Sequence, residues 1–287
     1  MKLAMLMLCH KNPEQINMLT HQMKNPDIDF YIHVDKKSDI SRELVTDDQV
    51  HLLPDKLRVD CKWATFSLVQ AELNLLSYAA KRGSYDFFWF CSGQDYPIKS
   101  TSYILNYFEN HKHNNFLDLR VSQNWGGVHN NLDKRNEIYY PFFLFGRSKG
   151  KRLLKRLYVE ITGGYNKTFR PFKRFCPFNS YFGSQWCCLS DETVNWIFEY
   201  LQNSHNYVSY FMHCSTPDES FFQTLVMNSP YKDKREDYLH YVDWSEEKTS
   251  PKILTIEDIE ELKHSDKLMA RKFDIALDER VVEELLA

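Results

Sequence analysis

Three apolar runs constrain this chain more than anything else in it: Leu3–Cys9 (LAMLMLC), Phe30–Val34 (FYIHV) and Tyr85–Phe90 (YDFFWF). Runs this short and this apolar, with little polar alternation, belong to strands buried on both faces. Between them lie segments of helical period. Pro13–Met23 opens with Asn12 as a candidate N-cap and Pro13 in the first helical position, and Ser67–Lys81 carries apolar residues at 68, 69, 73, 76 and 79–80. Leu52–Leu53 with Leu57–Val59 suggests a short third strand, Tyr103–Asn110 a helix behind a Ser100-Thr101-Ser102 cap, and Phe116–Leu119 a further strand. The alternation predicts an α/β fold, a mostly parallel sheet with helices on both faces.

Further along, Ser180–Leu189 reads as a strand entered through Gly183, and Asp191–Leu201 as a helix capped by Ser190. Asp218–Met227 reads as a helix led by Thr216-Pro217, Tyr238–Trp244 as a strand, and Glu257–His264 and Val281–Leu286 as helices. Residues 1–287 are read as one domain carrying a basic insertion at about 146–175. From Arg147 to Arg174, ten Lys or Arg residues face one acid, Glu160, and are interleaved with Leu153, Leu154 and Leu157. A solvated basic helix explains that composition, and so does a patch that meets an anionic lipid surface.

With 43% hydrophobic and 15% aromatic residues the chain can build a large core, and a net charge of −3 gives no field for nucleic acid. The seven cysteines are odd in number, form no CxxC and sit largely in apolar runs, which predicts reduced thiols and a reducing, cytoplasmic setting. The first apolar run is too short for a signal peptide and is followed at once by charge, and no run is long enough to span a bilayer.

Four stretches carry chemistry. In FYIHVDKKSD, Asp35 directly succeeds a strand, where a carboxylate can accept from a ribose or base edge or merely cap the next helix. In FCSGQDYPIKS, Asp95 falls in a turn after a strand, a place used for ligands and equally for making the turn. In STPDESFFQTLV, Asp218 and Glu219 suit the positive end of a helix, and a carboxylate held there can act as a general base where burial raises its pKa. In LMARKFD, Arg271-Lys272 is surface decoration unless it reaches a phosphate. No Walker A loop, G-x-G-x-x-G, HExxH or G-x-S-x-G is present.

In order and spacing, IHVDKKSD, WATFSLVQAELNLL, YDFFWFCSGQDYPIKS, YFGSQWCCLSDETV, STPDESFFQTLVMNSP and LMARKFD resemble the core-2/I-branching glycosyltransferases. That family joins the β-1,6-N-acetylglucosaminyltransferases and the peptide O-xylosyltransferases. The resemblance implies a GT-A-like fold and an inverting enzyme that takes a UDP-sugar without a metal or other cofactor. It implies Glu219 as the catalytic base. Cys9, His10 and Asp35 fall at the uridine, and Arg271 and Lys272 at the diphosphate. Asp95, Gln185, Trp186 and Asp218 fall on the sugar and acceptor side. The family's second diphosphate-binding Arg has no counterpart, and His240 or Lys252 offers itself instead. Asp27-Ile28-Asp29, the one Asp-x-Asp, precedes a strand and is expected at the wrong end of the sheet.

The expected partners are a UDP-sugar, a glycan acceptor, either lipid-linked or capsular, and an anionic membrane touched through 147–174; the unmatched disulfides of the animal enzymes suggest a bacterial relative. N-acetylglucosamine is the expected sugar, with Gly93 and Gly183 leaving room for it and Asp95 and Gln185 bonding it. HYVDW and ESFF lean towards xylose. A non-catalytic nucleotide- or sugar-binding module and a nucleotide hydrolase are the rival classes.

Overall fold

A computed structural model describes residues 1–120, 133–146, 148–162, 178–246 and 250–286. In chain order the strands are β1 (Leu3–Cys9), β2 (Ile28–Val34), β3 (Val50–Leu52), β4 (Phe87–Ser92), β5 (Asp95–Pro97), β6 (Asn115–Phe116), β7 (Cys188–Ser190), β8 (Arg235–Glu236), β9 (His240–Val242) and β10 (Met269–Arg271). The helices are α1 (Pro13–Gln22), α2 (Phe66–Ala80), α3 (Thr101–Asn110), α4 (Asp133–Glu137), α5 (Lys149–Ile161), α6 (Asp191–Asn203), α7 (His205–Phe211), α8 (Phe221–Met227), α9 (Ile259–His264) and α10 (Arg280–Leu286).

Seven strands form the main sheet in the order β3-β2-β1-β4-β7-β6-β8. β3, β2, β1 and β4 run parallel, while β7 pairs antiparallel with both β4 and β6. This is the α/β architecture, a mostly parallel sheet, that the sequence led us to expect. β1 is its axis: every residue is buried, and alternate side chains enter opposite core layers. Leu3, Met5, Met7 and Cys9 meet Ile16 and Leu19 of α1 and Ile104 and Phe108 of α3. Ala4, Leu6 and Leu8 join Val69, Leu75 and Leu76 of α2 and Phe221 and Phe222 of α8 in one core layer. Truncating one of these side chains to Ala should cost about 2–5 kcal/mol.

A second sheet of three residues per strand, β5-β10-β9, lies at the end of β4. Its antiparallel register sets Arg271 opposite Asp95, and its parallel register sets Arg271 beside Val242. Strands so short leave almost no periodicity in a sequence, which is why Asp95 reads as a turn residue. A third, small cluster of Ile138, Tyr140, Phe145 and Val159 fixes α5 beside the C-terminal end of the main sheet.

Several boundaries differ from expectation for local reasons. Asn12 takes a left-handed conformation and caps nothing; its amide donates to Asp274 Oδ1 (2.8 Å) instead. Of the expected third strand only Leu52 belongs to β3, Leu57–Val59 lying outside it with Leu57 in a 3-10 turn, and of Ser180–Leu189 only Cys188 and Leu189 belong to a strand, β7. The expected helix from Asp218 is broken: Pro217–Glu219 is a 3-10 turn, Ser220 leaves helical space at φ −149°, and α8 starts afterwards. Ser100 and Ser190 do cap α3 and α6, accepting from Tyr103 N (3.3 Å) and Thr193 N (3.4 Å).

Candidate active site

The C-terminal ends of β1, β2 and β4 open into two adjoining cavities, about 1230 Å³ and about 780 Å³, which share His10, Lys11 and Trp63 on their walls. Ligands in open α/β sheets occupy this end. Asp35 lies in the larger cavity; Arg271, Lys272, Gln185, Trp186 and Glu219 line the smaller. Residues scattered through the sequence therefore meet in one cleft.

Asp35 does two jobs. Its Oδ1 accepts from Lys37 N (3.0 Å), closing the turn after β2, and its Oδ2 stands 3.5 Å from Lys37 Nζ at the cavity edge. His10 is exposed at the end of β1, with its carbonyl held by Ser38 Oγ (3.0 Å). Cys9 sits differently from expectation. Its thiol is buried in the core, where desolvation pushes its pKa up, and its carbonyl accepts from Asp35 N (2.8 Å), tying the end of β1 to Asp35.

Lys272 is half-buried, and burial together with Arg271 and Lys11 lowers its pKa. Lys11 is anchored by Asp274 (2.6 Å). The Arg271 guanidinium lies 4.6 Å above the Trp186 ring, a cation–π geometry, while its Nε sits 3.5 Å from Asp95 Oδ1. Such crowding of cations is unfavourable in an empty cleft and is relieved when a polyanion enters.

Asp95 is fully buried, which corrects its expected place beside the sugar. Oδ2 accepts from Ser92 N (2.7 Å) and Oδ1 from Ser92 Oγ (2.9 Å), so the carboxylate locks the β4–β5 turn and backs Arg271. Burial raises its pKa against the opposing pull of Arg271. His240 is corrected likewise. Its side chain is wholly buried between Trp89 and Tyr238, 3.7 Å from Asp95, behind the cleft wall, and burial, with Arg271 adding to it, lowers its pKa well below the usual imidazole value and disfavours the charged form. Lys252 spends its ammonium on Asp258 (2.6 Å) and Asp243 (3.7 Å). Arg152 of α5 lines the cleft, as does Lys11; neither stands out in sequence, one lying within a basic run and the other directly after His10.

The two acids of the Pro-Asp-Glu turn have opposite fates. Asp218 is buried, and desolvation, with Glu219 adding to it, raises its pKa to about 7. Glu219 is 32% exposed, faces the cleft and accepts a hydrogen bond from Arg135 Nη1. The burial that the sequence suggested for the base thus falls on its neighbour. Thr216 holds the turn from φ 54°, an uncommon conformation for a β-branched residue, and its N–H donates to Ala64 O (3.2 Å). The Glu219 carbonyl accepts from Gly183 N (2.9 Å), tying Glu219 to the loop that carries Gln185 and Trp186.

Glu72 of α2 is a further buried acid that motif reading missed. Burial and Asp218 push its pKa well up, and its Oε1 accepts from Gln185 Nε2 (3.1 Å). Its signal was available: an acid in the apolar stripe 69-72-76-79 of a helix. Arg135 had no such signal. Gly93 and Gly183 are both packed against protein atoms, and Gly93 also lines the smaller cavity. A Cβ on Gly93 would lie 2.9 Å from Ile16 Cγ1, and one on Gly183 only 1.8 Å from Asp118 O.

Asp27-Ile28-Asp29 lies at the opposite end of the sheet, where Asp29 accepts from Tyr85 Oη (2.6 Å). Among the described residues no three His, Cys, Asp or Glu side chains are grouped to hold a metal ion, six cysteines are free, and no helix is long and apolar enough to cross a membrane. Cys176, Arg147 and the basic residues 167–174 lie outside the described residues.

Fold and cleft together define an α/β protein whose strand ends carry a cationic, ligand-sized site with a carboxylate at its rim. The family model of the core-2/I-branching enzyme matches residues 3–265, and the chain belongs to that family. A xylosyltransferase of Ciona intestinalis is 26% identical over 309 residues, 98% of this chain and 33% of that protein. Human xylosyltransferase 1 is 22% identical over 317 residues, 99% of this chain and 30% of that protein. The chain thus spans about a third of the length of these curated relatives. Among solved structures, apo mouse xyloside xylosyltransferase 1 aligns with 94% of this chain and 97% of its own at 10% identity and a TM-score of 0.41. The galactosyltransferase LgtC aligns with 99% of this chain and 95% of its own at 8% identity and a TM-score of 0.45.

Proposed function

We propose that this protein is an inverting, metal-independent glycosyltransferase that moves a sugar from a UDP-sugar to a glycan hydroxyl. The observation that carries the reading is the sharing of one cleft by the Glu219 carboxylate and the Arg271-Lys272 pair, with Asp35 in the adjoining cavity. Uridine occupies the Asp35 and His10 end. The diphosphate lies against Lys272 and Arg271, backed by Lys11. The acceptor hydroxyl approaches Glu219.

In the transfer step, Glu219 takes the hydroxyl proton while the acceptor oxygen bonds to C1 of the sugar. The bond from C1 to the diphosphate oxygen breaks, and its electron pair leaves with UDP from the opposite face. Proton removal contributes about 10²–10⁴-fold. The leaving diphosphate gains negative charge as that bond breaks, so fixed cations there stabilise the transition state more than the bound donor. Lys272 and Arg271 serve without a metal because compensation needs charge and not coordination geometry.

Two observations move the donor from N-acetylglucosamine towards xylose. The glycines read as leaving space for the larger sugar are packed against Ile16 and Asp118, and the Ciona and human relatives are named xylosyltransferases. Gln185, whose amide nitrogen is held by Glu72, still offers its carbonyl to an acetamide. Competition between UDP-xylose and UDP-N-acetylglucosamine for a common acceptor separates the two, since a site built to pair an acetamide discriminates strongly against a donor without one.

Replacement of Glu219 by Gln tests the reading as a whole. Transfer should be lost while UDP still binds. A binding module without catalysis would show UDP affinity in both proteins and transfer in neither. A nucleotide hydrolase would release UDP at full rate without any acceptor.

A further inference from the structure

We propose that the outer face of α5 docks on an anionic phospholipid surface and so brings the mouth of the cleft to the membrane. The inner face of α5 is fixed: Val159 is buried, and Lys155 donates to Ser215 Oγ (2.8 Å) with its ammonium 4.7 Å from the Tyr140 ring centre. The opposite face carries Leu153, Leu154, Leu157 and Ile161, exposed by 59%, 45%, 51% and 76%. At 100° per residue these four fall within one third of the helix circumference, away from Lys155 and Val159. Phe142 and Phe143, 64% and 62% exposed, stand on the turn that precedes the helix.

Charge selects the occupant. Lys149 and Arg156 are exposed on α5, and Glu160 is its only acid. An outward apolar stripe bordered by cations is the pattern of a helix lying in a lipid headgroup layer. A second copy of this chain would face cation with cation across a two-fold contact, whereas an anionic leaflet complements both parts of the face. Phe142, on the turn before the helix, also lines the larger cavity, so docking this face sets the mouth of the cleft near the lipid headgroups. That a lipid-carried glycan is then the acceptor rests on the glycosyltransferase function proposed for the cleft; the docking itself does not.

The test is sedimentation of the full chain with vesicles of phosphatidylcholine mixed with phosphatidylglycerol, and with phosphatidylcholine alone, at low and high salt. The wild type should sediment with the mixed vesicles and be released by salt. Leu153→Glu with Leu157→Glu, and separately Lys149→Glu with Arg156→Glu, should each weaken vesicle binding by about tenfold or more, given the contribution of each charge near a leaflet. UDP affinity, read by calorimetry, should be unchanged in both, which separates lost docking from lost folding and from failure of the catalytic reading. Indifference of the wild type to lipid charge and salt would overturn the proposal. So would vesicle binding by both variants at the wild-type level, or a wild-type dimer dissolved by the same substitutions in a protein that ignores vesicles.

Discussion

Arg135 Nη1 donates a hydrogen bond to Glu219 Oε2, so the carboxylate at the rim of the cleft is held in place by a cation from α4. The pair is partly exposed, with the two side chains 21% and 32% accessible, which leaves the carboxylate open to an incoming hydroxyl. Glu219→Gln should lower kcat by about 10²–10⁴-fold, with UDP affinity within about twofold of wild type. Arg135→Ala should lower kcat by a smaller factor, and Arg135→Lys should restore part of it. Steady-state kinetics beside UDP calorimetry reads all three. Wild-type turnover in Glu219→Gln would place the base elsewhere.

Lys272 faces the cleft beside Arg271 and Lys11, and the lowering of its pKa comes from burial and from those two neighbours. Lys272→Ala should weaken UDP far more than uridine, because the contact it loses is to phosphate. The sign of the pH effect is set by the shift. A lysine with a lowered pKa gives up its proton at a lower pH than an exposed one, so UDP affinity should fall on the alkaline side before ordinary lysines titrate. UDP favours the charged ammonium, so binding should take up protons in that range. Calorimetry in buffers of different ionisation enthalpy measures the uptake. Equal losses for UDP and uridine would remove Lys272 from the diphosphate site.

Asp218 is buried with Glu72 and Glu219 nearby, its Oδ1 has no hydrogen-bond partner, and its pKa is raised to about 7. An acid whose folded pKa is raised favours the fold while protonated. Its contribution is complete below the unfolded value of about 3.9 and is lost as pH rises through the folded value. Asp218→Asn should therefore raise Tm at pH values above about 7 and leave it nearly unchanged at about pH 3, where both states hold the proton. Melting curves across that range check it. A variant less stable than wild type at alkaline pH would show that the ionised carboxylate has a partner.

Gly183 and Gly93 should respond differently to Ala. At Gly183 the new Cβ would lie 1.8 Å from the Asp118 carbonyl oxygen, backbone that cannot yield without moving the Gln185 loop. At Gly93 it would meet the Ile16 side chain at 2.9 Å, which can rotate. Gly93→Ala should cost about 1–3 kcal/mol as overpacking, and Gly183→Ala more than that. Chemical denaturation of the two variants gives the comparison, and equal costs would contradict the close backbone approach at 183.

The layers of the fold were legible because β1, β2 and β4 are predominantly apolar and α1 and α2 carry helical period. Ser100 and Ser190 announced their helices through a local bond, which a sequence records well. The small sheet was illegible: three-residue strands from three distant parts of the chain pair only in the tertiary structure. Its consequence for the site is large, because it buries Asp95 and His240 and leaves Arg271 and Lys272 facing outward. Motif order brought Asp35, Gln185, Trp186, Glu219 and Lys272 to one cleft but could not say which side of its wall each would occupy. Arg135 was out of reach, since a lone arginine acquires meaning only when folding sets it against Glu219.

Inverting transfer from a UDP-sugar without a metal leaves its mark on the anomeric configuration of the product. The full chain is incubated in excess EDTA with glycan acceptors and either UDP-xylose or UDP-N-acetylglucosamine, both α-linked donors, and the product is read by proton NMR. With Glu219 as base and Lys272 and Arg271 on the diphosphate, the product should be β-linked, one UDP should be released per sugar transferred, and manganese should change nothing. An α-linked product would contradict the inversion, and transfer that begins only once manganese is supplied would contradict the role of the cationic pair.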